Sequence, residues 1–190
     1  MDKEHMYQDL SRFRLPDGFR GRPAWLVQLW WLVQAVLFHP SPQVFFAWRS
    51  FLLRLFGAQI GKDVLIRPSA SVTYPWKVSI GDYSWIGDEV VLYSLSEITI
   101  GRHTVISQES YLCAAYHDYT RPTFDMIAGP ITIGDQVWIA ADVFIAPNVT
   151  VGFGCLVGAR STVFHDLPAG MVCYGSPAIP VRSRHSSTVA

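Results

Sequence analysis

A chain of 190 residues and 21.3 kDa suits one domain with a short appendage, and with half its residues hydrophobic and only 16% charged it is not a disordered polar chain. Fifteen Lys and Arg balance fifteen Asp and Glu, so no basic face is evident and no nucleic-acid partner is expected. Three cysteines (Cys113, Cys155, Cys173) form no CxxC pair, which argues against a disulfide framework or a thiolate zinc site and for a reducing, cytoplasmic setting.

Residues 1–59 read as a capping segment ahead of the main body. The first 21 are polar and charged and do not resemble a signal peptide. An apolar run follows at 25–38 (WLVQLWWLVQAVLF), which is 14 residues long and short of the roughly 20 that span a bilayer. It predicts a helix packed on the body or on a neighbouring subunit. The alternatives are an interfacial helix that touches a membrane surface, here the inner membrane's, and, last, a spanning helix. A second helix is predicted over 47–56 (AWRSFLLRLF), with Gly57 as its stop.

From Ile60 onward the chain advances in sixes. Aliphatic residues stand at Ile60, Ile66 and Val72, then Ile80, Ile86 and Leu92, then Ile100, Ile106 and Leu112. After a gap the beat resumes at Ile133, Ile139 and Ile145 and at Val151, Val157 and Val163. The second position of the hexad is Gly at residues 61, 81, 87, 101, 134, 152 and 158, read here as the residue that permits the backbone turn. The fifth is small or β-branched, from Val64 and Ala70 to Cys155 and Ser161. A hexad of this kind supplies a short strand and a turn. Three hexads close a triangular coil with the aliphatic residue inside, and successive coils stack as parallel strands about 4.8 Å apart. The fold class is therefore mainly β: a parallel β-helix of about five coils over 60–167, with an inserted loop at 118–132 and a tail over 168–190. The helical segment covers one open end, since an uncovered strand edge invites aggregation.

The hexads, together with LRLFGAQIGKDVLIRPS (53–69), YPWKVSIGDYSWIGD (74–88), ISQESYLCAAYHDYTRPTF (106–124) and YGSPA (174–178), resemble the hexapeptide-repeat acyltransferases. Within that family they are most similar to the acetyltransferases of colanic acid biosynthesis and their galactoside and maltose relatives. The resemblance implies a left-handed coil, acetyl-CoA as co-substrate, no metal, and a homotrimer whose clefts are shared between two subunits.

It also implies a site. His117 closes the third coil where the insertion leaves, and the family's histidine in this segment is the general base. A histidine suits that work because its ordinary pKa, about 6.5, lies close to neutrality. Four acids, Asp118, Glu89, Glu97 and Glu109, are open candidates to orient the imidazole, and the sequence does not rank them. Tyr93 and Ser94 on the neighbouring rung are the expected side-chain donors to the oxyanion. Trp138, Ala141, Ala159, Arg160 and Arg182 are expected to flank acetyl-CoA, the two alanines stacked 18 residues apart. Arg184 is a further tail cation, and Asp118, Tyr119, Arg121 and Phe124 are expected to meet the acceptor. The other histidines read as bystanders: His5 and His185 in the tails, His39 before a proline, and His103 and His165 in turns. Cys155 faces inward, and Cys113 is not expected to be a nucleophile.

The function expected is acetyl-CoA-dependent O-acetylation of a sugar hydroxyl in exopolysaccharide biosynthesis, on the glycan or its lipid-linked precursor. Acetylation of another small acceptor, such as an antibiotic or serine, is the enzymatic alternative. A non-catalytic β-helix scaffold is the alternative from a different class.

Overall fold

The structure is a computed structural model and describes residues 6–185, so His5 lies outside the described residues. Three parallel sheets form the sides of a prism. The first face carries Gln59–Ile60, Val78–Ile80, Ile98–Ile100, Ile131–Ile133 and Thr150–Val151. The second carries Leu65–Ile66, Trp85–Ile86, Val105–Ile106, Trp138–Ile139, Leu156–Val157 and Met171–Gly175. The third carries Ser71–Val72, Val91–Tyr93, Tyr111–Cys113, Phe144–Ile145 and Thr162–Val163. This is the parallel β-helix expected from the hexads, and the left hand of its coil is what the family resemblance implies.

The register is the hexad register. Ile60, Ile80, Ile100, Ile133 and Val151 stack on the first face. Ile66, Ile86, Ile106, Ile139, Val157 and Cys173 stack on the second, and Val72, Leu92, Leu112, Ile145 and Val163 on the third. All of these side chains are buried and together form one apolar core along the axis. The small fifth positions are buried too, and their hydroxyls bind rung to rung: Ser84 donates to Gly101 O at 2.6 Å and Thr104 to Gly134 O at 2.8 Å. Leu167, bridged to Val151, and Cys173 carry the coil into a partial sixth turn, after which Ala178–Ser183 folds back antiparallel on Met171–Gly175.

The glycines serve a different purpose from the one expected. The turn residue with positive φ is the fourth of the hexad, at Asp63, Tyr83, Glu89, His103, Glu109, Gln136, Asp142, Asn148 and Arg160. The second-position glycines keep ordinary φ, but the next rung presses on them. A Cβ added at Gly81 would lie 2.5 Å from Arg102 N, and one at Gly152 would lie 2.5 Å from Ala169 N. Close approach of two backbones, not turn geometry, requires glycine there.

Helix α1 (Ala24–Val33), continued by a π-helical turn at Gln34–Phe38, and helix α2 (Phe46–Leu55) cover the N-terminal end of the prism. They satisfy the open edge of the first coil side by side. The Trp30 indole donates to Val72 O, and the Gln34 side-chain oxygen accepts from Val72 N, both at 2.8 Å. Arg49 Nε donates to Ile66 O at 2.6 Å, and Arg54 donates to Ile60 O and Gly61 O. Each face of the first rung thus meets a side-chain partner where the next strand would have been. Trp30, Phe38, Leu52, Leu53 and Phe56 plug the core at this end.

Candidate active site

The insertion is a β-hairpin. Ala115–His117 pairs antiparallel with Met126–Ala128, with His117 opposite Met126. It leaves the prism at the corner between the third and first faces. Its tip is held by Asp118 N donating to Asp125 O at 2.8 Å and by Arg121, whose guanidinium lies 3.4 Å from the Asp118 and 3.6 Å from the Asp125 carboxylates.

His117 is half-buried between two aromatic rings. Phe124 stacks on it face to face, with centroids 4.2 Å apart and planes 8° from parallel, and Phe13 of the N-terminal segment tilts against it at 5.9 Å. The Phe13 segment is itself anchored to the hairpin by Asp9 N donating to Pro122 O at 2.7 Å. His117 Nδ1 lies 2.8 Å from Phe124 O. A carbonyl can only accept, so Nδ1 carries the hydrogen in the neutral ring and Nε2 holds the free lone pair. Phe124 reaches this position with φ of +51°, a left-handed conformation that costs an L-residue roughly 1–2 kcal/mol. Its carbonyl is thereby turned onto the imidazole.

Asp118 does not orient His117. Its carboxylate is taken by the backbone and hydroxyl of Thr120, whose hydrogen bonds hold it below the usual carboxylate range. Among the acids expected to compete for that role, Glu97 accepts from Ser96, while Glu89 and Glu109 lie at a different corner, between the second and third faces. The orienting group is a backbone carbonyl, and composition gives no signal for it.

Tyr93 and Ser94 lie on the preceding rung at the hairpin's corner, with Tyr93 paired to Cys113. Ser94 is sealed: its hydroxyl donates to Tyr74 O at 3.0 Å and accepts from Tyr74 N at 2.8 Å, so it ties two rungs together and has no donor left for an oxyanion. Tyr93 is half-buried beside Tyr111, and burial raises its phenol above the usual range. Burial pushes Tyr111 to about 12 and also raises the Cys113 thiol, keeping it protonated rather than nucleophilic. Cys155 and Cys173 stack inside the coil with sulfurs 3.7 Å apart.

The residues expected to hold acetyl-CoA gather elsewhere. Trp138 stands on the second face, 44% exposed, its indole donating to Ser107 Oγ at 3.1 Å. Ala141 and Ala159 stack at the corner between the second and third faces, where Arg160 N donates to Ala141 O at 2.9 Å. The Arg160 guanidinium lies 3.4 Å from the Asp142 carboxylate. Arg182 pairs with Val172, three rungs beyond Trp138 on the same face and so about 15 Å from it. Arg184 is not free: it donates to Gln136 O and Gly154 O and clamps the tail. Two open cavities flank this region. One of about 420 Å³ is lined by Trp85, Arg67, Asp88, Ser107 and Gln108, and another of about 660 Å³ by Tyr111, Phe144, Asp142 and Arg160. Trp85, Ser107 and Gln108 lie in segments that carry the family resemblance but are not singled out by it, and Phe13 has no distinguishing sequence signal. Of the expected acceptor residues, Tyr119 is 81% exposed at the hairpin tip, Arg121 is held by the two aspartates, and Phe124 is spent on the imidazole.

Apart from Arg182, the expected site residues thus gather toward two different corners of one prism, separated by the width of the third face. A six-residue side places them at most roughly 20 Å apart. Among the described residues no cluster of His, Cys, Asp or Glu could hold a metal ion.

Over 177 residues the chain is 60% identical to WcaF of Escherichia coli (strain K12), named as a colanic acid biosynthesis acetyltransferase; the match covers 93% of this chain and 97% of that one. The chain belongs to the hexapeptide-repeat acetyltransferases. The acetyltransferase also overlays a hexapeptide-repeat acetyltransferase of Vibrio cholerae O1 biovar eltor, solved with acetyl coenzyme A, at a TM-score of 0.74 and 28% identity, covering 88% of this chain and 87% of that one. A galactoside acetyltransferase solved in complex with coenzyme A overlays it at 0.78 and 25% identity, covering 88% and 83%. No family model matches the chain.

Proposed function

We propose that this acetyltransferase moves acetyl from acetyl-CoA to a sugar hydroxyl of an exopolysaccharide or its lipid-linked precursor, in the cytoplasm, with His117 as general base. The observation that carries the reading is the locked tautomer of His117, which leaves Nε2 as a proton acceptor beside an exposed hairpin. Acetyl-CoA supplies the acetyl group as a thioester. His117 Nε2 takes the proton as the sugar oxygen forms its bond to the acetyl carbon, and returns it to the sulfur when the carbon–sulfur bond breaks. The proton is thus conserved across one turnover, and the imidazole ends as it began. Phe124 O stabilises the transient imidazolium through the same hydrogen bond that fixes the ring. Backbone N–H groups at the corner, or Tyr93, are the donors for the oxyanion, since the Ser94 hydroxyl is committed.

The separation of the two groups of residues supports a homotrimer in which His117 of one protomer faces the Trp138, Ala141 and Ala159 corner of the next. Arg160 and Arg182 are cations suited to the coenzyme's phosphates, and Tyr119 and Arg121 at the hairpin tip are the residues nearest an incoming acceptor. Acetyl-CoA turnover over a panel of sugars, with serine and antibiotics as competing acceptors, tests the reading. His117→Ala should lose roughly 10²–10⁴-fold. Turnover within a few-fold of the parent removes the base assignment, and a parent inactive with every acceptor leaves a scaffold.

A further inference from the structure

The helical end of the prism carries a surface that neither the fold nor acetyl transfer uses. Each helix buries one side, through Val27, Trp30 and Phe38 and through Leu52 and Leu53. Each leaves another apolar side in the open: Trp25 is 66% exposed, Leu32 60%, Val36 57%, Phe45 51%, Phe51 51% and Leu55 66%. The two sides form one surface. The Trp48 indole donates to Leu37 O at 3.0 Å and its ring stacks on Phe51 at 5.8 Å, so α2 is tied to the end of the first helix. An apolar groove of about 460 Å³, lined by Val36, Leu37, Pro40, Phe45 and Trp48, runs between them. Exposed apolar patches of this extent mark interaction sites.

The charges name the occupant. No Asp or Glu stands between Asp17 and Asp63, whereas Arg20, Arg22, Arg49 and Arg54 do. Arg49 is buried in the fold, but Arg20 and Arg22 are exposed at the entry to α1. The flanking acids are Asp17, which lines one cavity with Arg20 and Arg22, and Asp63, which lines another with Arg54. Counting Lys62, five cations and no acid stand between them, so two copies of this face would meet with a net excess of positive charge. Anionic headgroups answer that charge directly, and tryptophan beside leucine and phenylalanine is the composition that sits at a bilayer interface. From Ala24 to Phe38 the helical rod is about 22 Å long, less than the roughly 30 Å hydrocarbon core, and no helix among the described residues is long and apolar enough to cross a membrane. Such a rod lies in the plane of the surface.

We propose that the α1–α2 face docks on an anionic phospholipid bilayer, holding the prism end-on against the membrane. This placement does not depend on which hydroxyl is acetylated. The test is co-sedimentation of the full chain with vesicles of phosphatidylglycerol and phosphatidylethanolamine, against vesicles of phosphatidylcholine alone, at low and high salt. Binding to the anionic vesicles should be at least tenfold tighter and should weaken with salt. Leu32→Gln with Phe51→Gln, and separately Leu55→Gln, should each lower binding several-fold or more. Arg22→Glu should erase the preference for anionic lipid. All should keep the parent's melting temperature within a few degrees and its turnover with a soluble acceptor. Failure of the parent to bind either vesicle overturns the proposal. So does a drop in assembly mass by light scattering for the Leu32→Gln, Phe51→Gln variant, which would make the face an interface between copies.

Discussion

Gly81→Ala tests why glycine recurs at the second hexad position. An alanine Cβ there would lie 2.5 Å from Arg102 N, 2.7 Å from Gly101 C and 2.9 Å from Arg102 Cα. Ordinary contacts of this kind begin near 3.5 Å, so the two rungs must part by about 1 Å at that corner. Two hydrogen bonds cross it, Gly81 N to Ile100 O and His103 N to Asp82 O, each 2.8 Å. Stretched by that much, both pass beyond useful length. Two lost bonds at about 1 kcal/mol each, with about 2 kcal/mol of overpacking, give about 4 kcal/mol. For a chain of this size that lowers the melting temperature by about 8–16 °C. Gly170→Ala is the control: its φ is +68°, yet a Cβ there meets nothing within 4 Å. Only the left-handed conformation is penalised, by about 1 kcal/mol, or about 2–4 °C. Thermal unfolding followed by circular dichroism at one protein concentration reads both. If Gly81→Ala is no worse than Gly170→Ala, the close-approach argument fails.

Arg49→Leu should destabilise by about 3–5 kcal/mol, because a fully buried guanidinium now feeds Ile66 O, Pro42 O and Gln43 O, and leucine leaves those carbonyls without a partner; the same melts measure it, and a shift under about 2 °C would remove the cap from the account of the first coil. Phe124→Ala keeps the carbonyl but removes the stacked ring. An aromatic pair is worth about 0.5–1.5 kcal/mol, so kcat should fall by roughly 2–10-fold with KM little changed, as steady-state kinetics would show. Burial raises the Cys113 thiol and so disfavours its thiolate. Alkylation at pH 8 should therefore be at least about threefold slower than for an exposed cysteine and should rise as pH climbs further, and Cys113→Ser should leave turnover within about twofold.

The sequence by itself determined the prism. Its periodicity is a short-range property: an aliphatic residue every sixth place fixes which side chain turns inward at Ile66, Ile86 and Ile106, and parallel stacking follows without reference to any distant contact. His117 became a candidate base through the resemblance of residues 106–124 to the family's segment, since its place beside an insertion alone assigns it no role. What only the tertiary structure decided are the relations between rungs and between segments far apart in the chain. Gly81 is glycine because residue 102 approaches it across a coil, a spacing the hexad does not encode. His117 is oriented by a backbone carbonyl at Phe124, and carbonyls are the same in every residue. Phe13 reaches the imidazole from over a hundred positions away. The division of the expected site between two corners emerged only when the turns were placed around the axis, since adjacency in sequence says nothing about which vertex of a prism a residue occupies.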